Sequence, residues 1–109
     1  VGHTKIIKTD KLRTRVSPGE PVDGHMPSVN VLFDSLAEIE CKSICSALLT
    51  GMGSDGASGL LRLKEAGAKT IAQDERTSLV YGMPKAAHML GAASHVLPIT
   101  KIADALLSY

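Results

Sequence analysis

The stretch Leu48-Leu49-Thr50-Gly51-Met52-Gly53-Ser54-Asp55-Gly56-Ala57-Ser58-Gly59 decides how this chain is read. A short apolar run ends in a glycine-rich turn, and the turn opens into a helical pattern. In a parallel α/β sheet, sites lie at such junctions, just past the carboxyl end of a strand. Gly51-x-Gly53-x-x-Gly56 satisfies the dinucleotide fingerprint. An acidic pair, Asp74-Glu75, follows roughly 20 residues on, where a ribose-binding acid is sought. Asp55 argues against that reading. A pyrophosphate at a helix N-terminus relies on bare N–H groups and the positive end of the dipole, and a carboxylate among the glycines repels it. The P-loop pattern fails too, because Ala57 stands where Lys is required.

The residues alone leave three readings of this turn. The glycines can simply make a tight turn that holds no ligand. Asp55 can cap the helix that follows, a gain of roughly 0.5–2 kcal/mol. Or Asp55 can be the acid of a hydrolase triad, which holds a histidine in one tautomer and stabilises the imidazolium that forms. A rigid glycine-tight turn suits the third role.

The rest of the chain fits α/β architecture. Lys5-Ile6-Ile7-Lys8 and Leu12-Arg13-Thr14-Arg15-Val16, joined around Asp10-Lys11, read as a β-hairpin. A loop rich in turn residues runs to Gly24. Ser28 is placed to cap a helix carrying Val29, Leu32, Phe33, Leu36 and Ile39 on one stripe. Ile44 to Leu49 is an apolar run of strand length, typical of a sheet covered on both faces. The next helix is expected to bury Leu60, Leu61 and Leu63 and to end at Gly67. Thr70 to Gln73 is a strand, Pro84 to Leu90 a short helix closed by Gly91, and His95 to Pro98 a brief strand. Thr100 is the expected cap of a last helix through Leu107. Pro84 is expected at the first helical position. The alternation of strand and helix after residue 43 predicts parallel strands, right-handed crossovers and three layers, α/β/α, with the hairpin added at the N-terminus.

Composition narrows the function. The 109 residues make one domain at most. The division expected is a hairpin and loop over 1–24 and an α/β core over 25–109. Aromatic residues are 3% of the chain and the net charge is +1, so neither a base-stacking platform nor a basic footprint for nucleic acid is present. No apolar run is long enough to span a membrane, and no signal peptide is expected. Cys41 and Cys45 are too few for a structural zinc site and suit free thiols in the cytoplasm. No metal or organic cofactor is expected.

Four blocks carry a family resemblance. They are His25-Met26-Pro27-Ser28-Val29-Asn30-Val31-Leu32-Phe33, Leu48 to Ala57, Arg62 to Glu75, and Val80-Tyr81-Gly82-Met83-Pro84-Lys85-Ala86-Ala87. In this order they closely resemble the protein-glutamate methylesterases of bacterial chemotaxis. The resemblance implies a Ser-His-Asp hydrolase acting on glutamyl methyl esters of methylated chemoreceptors, with glutamine deamidation as a second activity. It implies that Asp55 is the triad acid and that the backbone N–H of Met52 serves the oxyanion hole. No role transfers to Ser54.

The blocks that carry the family's nucleophilic Ser and catalytic His lie upstream of these four and are not found here. The chain reads as the C-terminal part of a catalytic domain, without the receiver domain, and is expected to be inactive alone. No substitute triad is evident. Ser58 is not in a nucleophile elbow, since Leu60 stands where Gly is needed. Ser46 reads as a core or sheet-facing hydroxyl. His3, His25, His88 and His95 show no spacing that predicts contact with a Ser, and His25 is expected to be exposed. A strand without its neighbour is expected to take the missing half as partner, or to self-associate. The alternative reading keeps the Gly51-x-Gly53-x-x-Gly56 turn as a dinucleotide site.

Overall fold

The computed structural model describes residues 2–8, 12–22, 24–39 and 44–108. β1 (His3–Lys8) and β2 (Leu12–Ser17) pair antiparallel, from His3 opposite Ser17 to Lys8 opposite Leu12. This is the predicted hairpin; its turn at Asp10-Lys11 lies outside the described residues, as does Cys41. β1 packs on α1 (Val29–Ala37), where the Ile6 N–H donates to Ser35 Oγ at 2.8 Å. α1 buries Phe33 and packs Val29, Leu32 and Leu36 against the core. Ile39 falls beyond the helix end and does not extend the stripe.

Then follow β3 (Cys45–Leu48), α2 (Ala57–Glu65), β4 (Lys69–Gln73), α3 (Met83–Met89), β5 (His95–Leu97) and α4 (Ile99–Leu107). The three strands form one parallel sheet in the order β3-β4-β5. Their registers set Leu48 beside Ala72 and Ala72 beside Val96. Successive side chains on a strand point to opposite faces. Leu48 and Ala72 therefore share one face, where Leu60 and Leu63 of α2, Ala87 of α3, Ala92 and Phe33 close the main core. Ile71 and Gln73 occupy the other face. α4 covers that side, burying Ile102 and receiving Lys69 Nζ at the Ala105 carbonyl, 3.5 Å away. The three layers are thus α1–α3, the sheet, and α4.

Several local expectations need correction. Leu60 and Leu63 are fully buried, but Leu61 is only half-buried, because it lies off the helical face that meets the sheet. Met83 takes the first position of α3, so Pro84 is second. α4 begins at Ile99 with Pro98 at the N-cap, and Thr100 lies inside its first turn. Proline has no side-chain acceptor; Thr77 Oγ1 instead accepts the Ile99 N–H at 3.0 Å. The glycine endings hold. Ala68 N–H reaches Leu63 O at 3.0 Å and Gly67 N–H reaches Lys64 O at 3.1 Å, a Schellman ending for α2. Gly91 and Ala92 repeat it on α3.

Among the described residues no helix is long and apolar enough to cross a membrane. Cys45 is a half-buried free thiol.

Candidate active site

The glycine-rich turn leaves β3 at Leu48 and is tied to both of its neighbours. Gln73, at the end of β4 and only 2% exposed, accepts the Thr50 N–H through Oε1 at 2.7 Å. Its Nε2 donates to the Thr77 carbonyl at 2.8 Å. Thr50 Oγ1 donates to Val80 O at 3.0 Å and accepts the Val80 N–H at 2.8 Å. Gly51 N–H donates to Val80 O at 3.0 Å, and Gly51 O accepts both Gly82 N–H (3.1 Å) and Met83 N–H (2.9 Å). The last bond satisfies the first N–H of α3. Met52 is left at the outside of this anchored turn, 79% exposed, and among the described residues its N–H has no acceptor.

Asp55 is 5% exposed. The simplest reading of the sequence makes it the cap of the helix that follows it. It is not. Gly56 is the N-cap of α2, with φ +94°. Only glycine holds that conformation without strain, and a Cβ there would meet Leu48 Cδ1 at 2.8 Å and Val29 Cγ1 at 2.9 Å. The left-handed step leaves Asp55 on the N-terminus of α1. Its Oδ2 accepts the Val29 N–H at 2.7 Å, and Oδ1 accepts Ser28 Oγ–H at 2.8 Å and the Asn30 N–H at 3.3 Å. Ser28 does stand at the N-cap of α1, but its hydroxyl donates to Asp55 instead of accepting from the helix.

α2 is capped in return. Asn30 Oδ1 accepts the Gly59 N–H at 2.8 Å. The two helix starts therefore exchange side-chain caps across their contact.

Burial pushes the Asp55 carboxyl upward, but the hydrogen bonds from Val29, Ser28 and Asn30 and the field of His25 outweigh it, holding the group below the usual carboxylate range. The result is a rigid, buried, ionised carboxylate. A carboxylate has about four lone-pair sites. Among the described residues three are used, which leaves Oδ2 room for one more donor.

The chain's own histidines do not supply it. His25 is exposed and lies beside Gly53. His88 and His95 are exposed elsewhere. His3, however, is buried, at 5% exposure, and its Nδ1 accepts the Ser28 N–H at 3.1 Å. Ser94 Oγ also lies 3.3 Å from His95 Nδ1. Sequence spacing signals neither contact: β1 lies on α1 and brings two residues 25 apart together. Neither pair is a nucleophile and its base. Ser28 gives its hydroxyl proton to Asp55 and not to the imidazole, and Ser94 donates to the Thr70 carbonyl at 2.7 Å.

The dinucleotide reading falls on the same geometry. The Ala57 N–H is taken by Ser54 O at 3.2 Å and the Gly59 N–H by Asn30, while Asp55 stands beside them. Asp74 Oδ1 accepts the N–H and hydroxyl of Thr77, at 3.0 and 2.6 Å, and so ties its own turn.

Residues 2–106 match the family described as CheB methylesterase. The chain belongs to the CheB methylesterase family. A protein-glutamate methylesterase/protein-glutamine glutaminase of Hahella chejuensis is 56% identical over 102 residues, which is 93% of this chain and 28% of that protein. One from Anaeromyxobacter dehalogenans is 51% identical over 107 residues, 98% of this chain and 31% of that protein. The chain thus spans less than a third of the length of these relatives. The crystal structure of the Thermotoga maritima CheB methylesterase catalytic domain superposes with a TM-score of 0.93 at 32% identity, covering 98% of this chain and 57% of that one. The family match begins at residue 2, so the hairpin lies inside it, although the sequence blocks begin only at His25.

Proposed function

We propose that this chain supplies the acid and part of the oxyanion hole of a protein-glutamate methylesterase that also deamidates protein glutamines. The observation that supports the reading is the Asp55 carboxylate, ionised, buried and clamped by three donors, with one lone pair left on Oδ2. An acid in that state can accept an imidazole N–H, fix the tautomer, and stabilise the imidazolium that forms as the ring takes a proton.

The nucleophilic Ser and the His belong, on the resemblance, to sequence upstream of the matched blocks. The Ser oxygen attacks the glutamyl ester carbonyl as the His removes its proton. The carbonyl oxygen becomes an oxyanion, for which the unengaged N–H of Met52 is a donor. The imidazolium then protonates the departing methoxide, giving methanol and an acyl-enzyme. Water, deprotonated by the His, releases glutamate. With a glutamine amide the leaving group is ammonia. No step calls on a metal or organic cofactor.

The substrate in this reading is a methylated chemoreceptor, and the protein acts in the cytoplasm. The exposed edge of β3 is where the remaining part of the catalytic domain, or a second copy, would pair. Asp55→Asn in the full-length protein tests the reading. Loss of demethylation of a methylated receptor by up to about 10⁴ in kcat, with the fold retained, supports it; unchanged kcat rejects it.

A further inference from the structure

Resting on the methylesterase reading, we propose that His3 is a positioning residue for Asp55, acting through Ser28. His3 lies at the start of the hairpin and makes no contact with Asp55. Its ring is nonetheless buried and uses both nitrogens. A backbone N–H can only donate, so His3 Nδ1, 3.1 Å from the Ser28 nitrogen, is an acceptor. A carbonyl can only accept, so Nε2 carries the proton and donates to Glu20 O at 2.8 Å. The two partners together select one neutral tautomer.

Ser28 is the joint. Its backbone N–H is fixed by His3, and its Oγ–H is given to Asp55 Oδ1 at 2.8 Å. Ser28 is 2% exposed, so water cannot readily replace either bond. Two hydrogen bonds thus run from the hairpin to the carboxylate by way of one residue. The remaining Asp55 bonds come from Val29 and Asn30, the two residues that follow Ser28 in the chain. Displacing Ser28 therefore disturbs all three donors at once. Small displacements of a catalytic group from its working geometry carry large rate effects.

The test uses the full-length protein and two variants. His3→Leu removes the acceptor for the Ser28 N–H. His3→Asn keeps an acceptor, Oδ1, near the position of Nδ1, but loses the bond to Glu20. Two readouts are taken: kcat and KM for demethylation, and the Asp55 carboxyl titration followed by ¹³C NMR. We expect His3→Leu to lower kcat by up to about 100-fold at nearly constant KM, and to move the Asp55 titration upward as its donors slip. His3→Asn should restore most of both. Unchanged kcat and titration in His3→Leu overturn the proposal. So does an equal loss in both variants that simply follows their loss of thermal stability. Asp55→Asn is run beside them. If it retains full kcat, the methylesterase reading fails, whereas the Asp55 titration still decides whether His3 positions the carboxylate.

Discussion

Asp55 and Asn30 cap each other's helices. Asp55, just ahead of α2, accepts the first two N–H groups of α1, while Asn30, in the first turn of α1, accepts the third N–H of α2. A helix start leaves N–H groups unsatisfied. When two starts meet in a buried contact, water is absent and each must supply the other. The exchange orients α1 against α2 and at the same time clamps the acid. Site geometry and fold stability therefore share the same bonds.

Asn30→Ala removes the acceptor for the Gly59 N–H, which is buried. We expect a loss of about 1–3 kcal/mol, the range for leaving a buried donor unpaired. Urea unfolding of the variant against the parent measures it. A change below about 0.5 kcal/mol would mean that the cap has no energetic weight.

Gly59→Ala should destabilise, although alanine is the better helix former by about 1 kcal/mol. An added Cβ would meet Phe33 Cβ at 2.8 Å, Asn30 Oδ1 at 3.0 Å and Asn30 Cα at 3.2 Å. Overpacking of this kind costs about 1–3 kcal/mol and so exceeds the propensity gain. The same denaturation experiment reads the sign. A stabilised Gly59→Ala would show that α1 and α2 can move apart freely.

Acid should weaken the fold through Asp55. Its carboxyl is held below the unfolded value of about 3.9. A depressed carboxyl adds stability that is complete above the unfolded pKa and is lost as pH falls through the folded pKa. Asp55→Asn has no such proton to bind. Stability curves of the two proteins should therefore converge below about pH 4, and parallel curves there would contradict the assignment.

Much of this fold is legible in the sequence, and the misses share a cause. Strands and helices follow local periodicity, and the endings at Gly67 and Gly91 follow from glycine's access to positive φ. The helix starts do not follow local rules. Ser28 and Thr100 sit where a cap is normally sought, yet the caps come from residues 22 to 29 positions away. Asp55 stands out because an acid among glycines is conspicuous. Asn30, His3 and Gln73 do not, because a polar residue within an amphipathic run looks like a solvated face until the topology buries it. The one available signal is a pair of poor helix formers, Asn30 and Gly59, inside two predicted helices.

Gln73 should link the sheet to the oxyanion turn. Its Oε1 holds the Thr50 N–H, two residues before Met52, and its Nε2 holds the Thr77 carbonyl. Gln73→Met removes these bonds, together with the 3.2 Å bond from Nε2 to Thr77 Oγ1, and should cost about 1–3 kcal/mol. In the full-length protein it should also lower kcat more than it raises KM, because an oxyanion donor matters chiefly in the transition state. Gln73→Glu separates the two ends. The carboxylate still accepts from Thr50 but faces the Thr77 carbonyl oxygen, a repulsion that protonation relieves by creating an O–H donor. Burial and that carbonyl both favour the protonated form, so the introduced carboxyl should have a folded pKa above its unfolded one. The variant should therefore recover stability relative to the parent as pH falls, the opposite sign to Asp55. Thermal melts of the parent and both variants between about pH 5 and 8 test this. A Gln73→Glu deficit that stays constant across that range would show that Gln73 does not hold the turn through its amide.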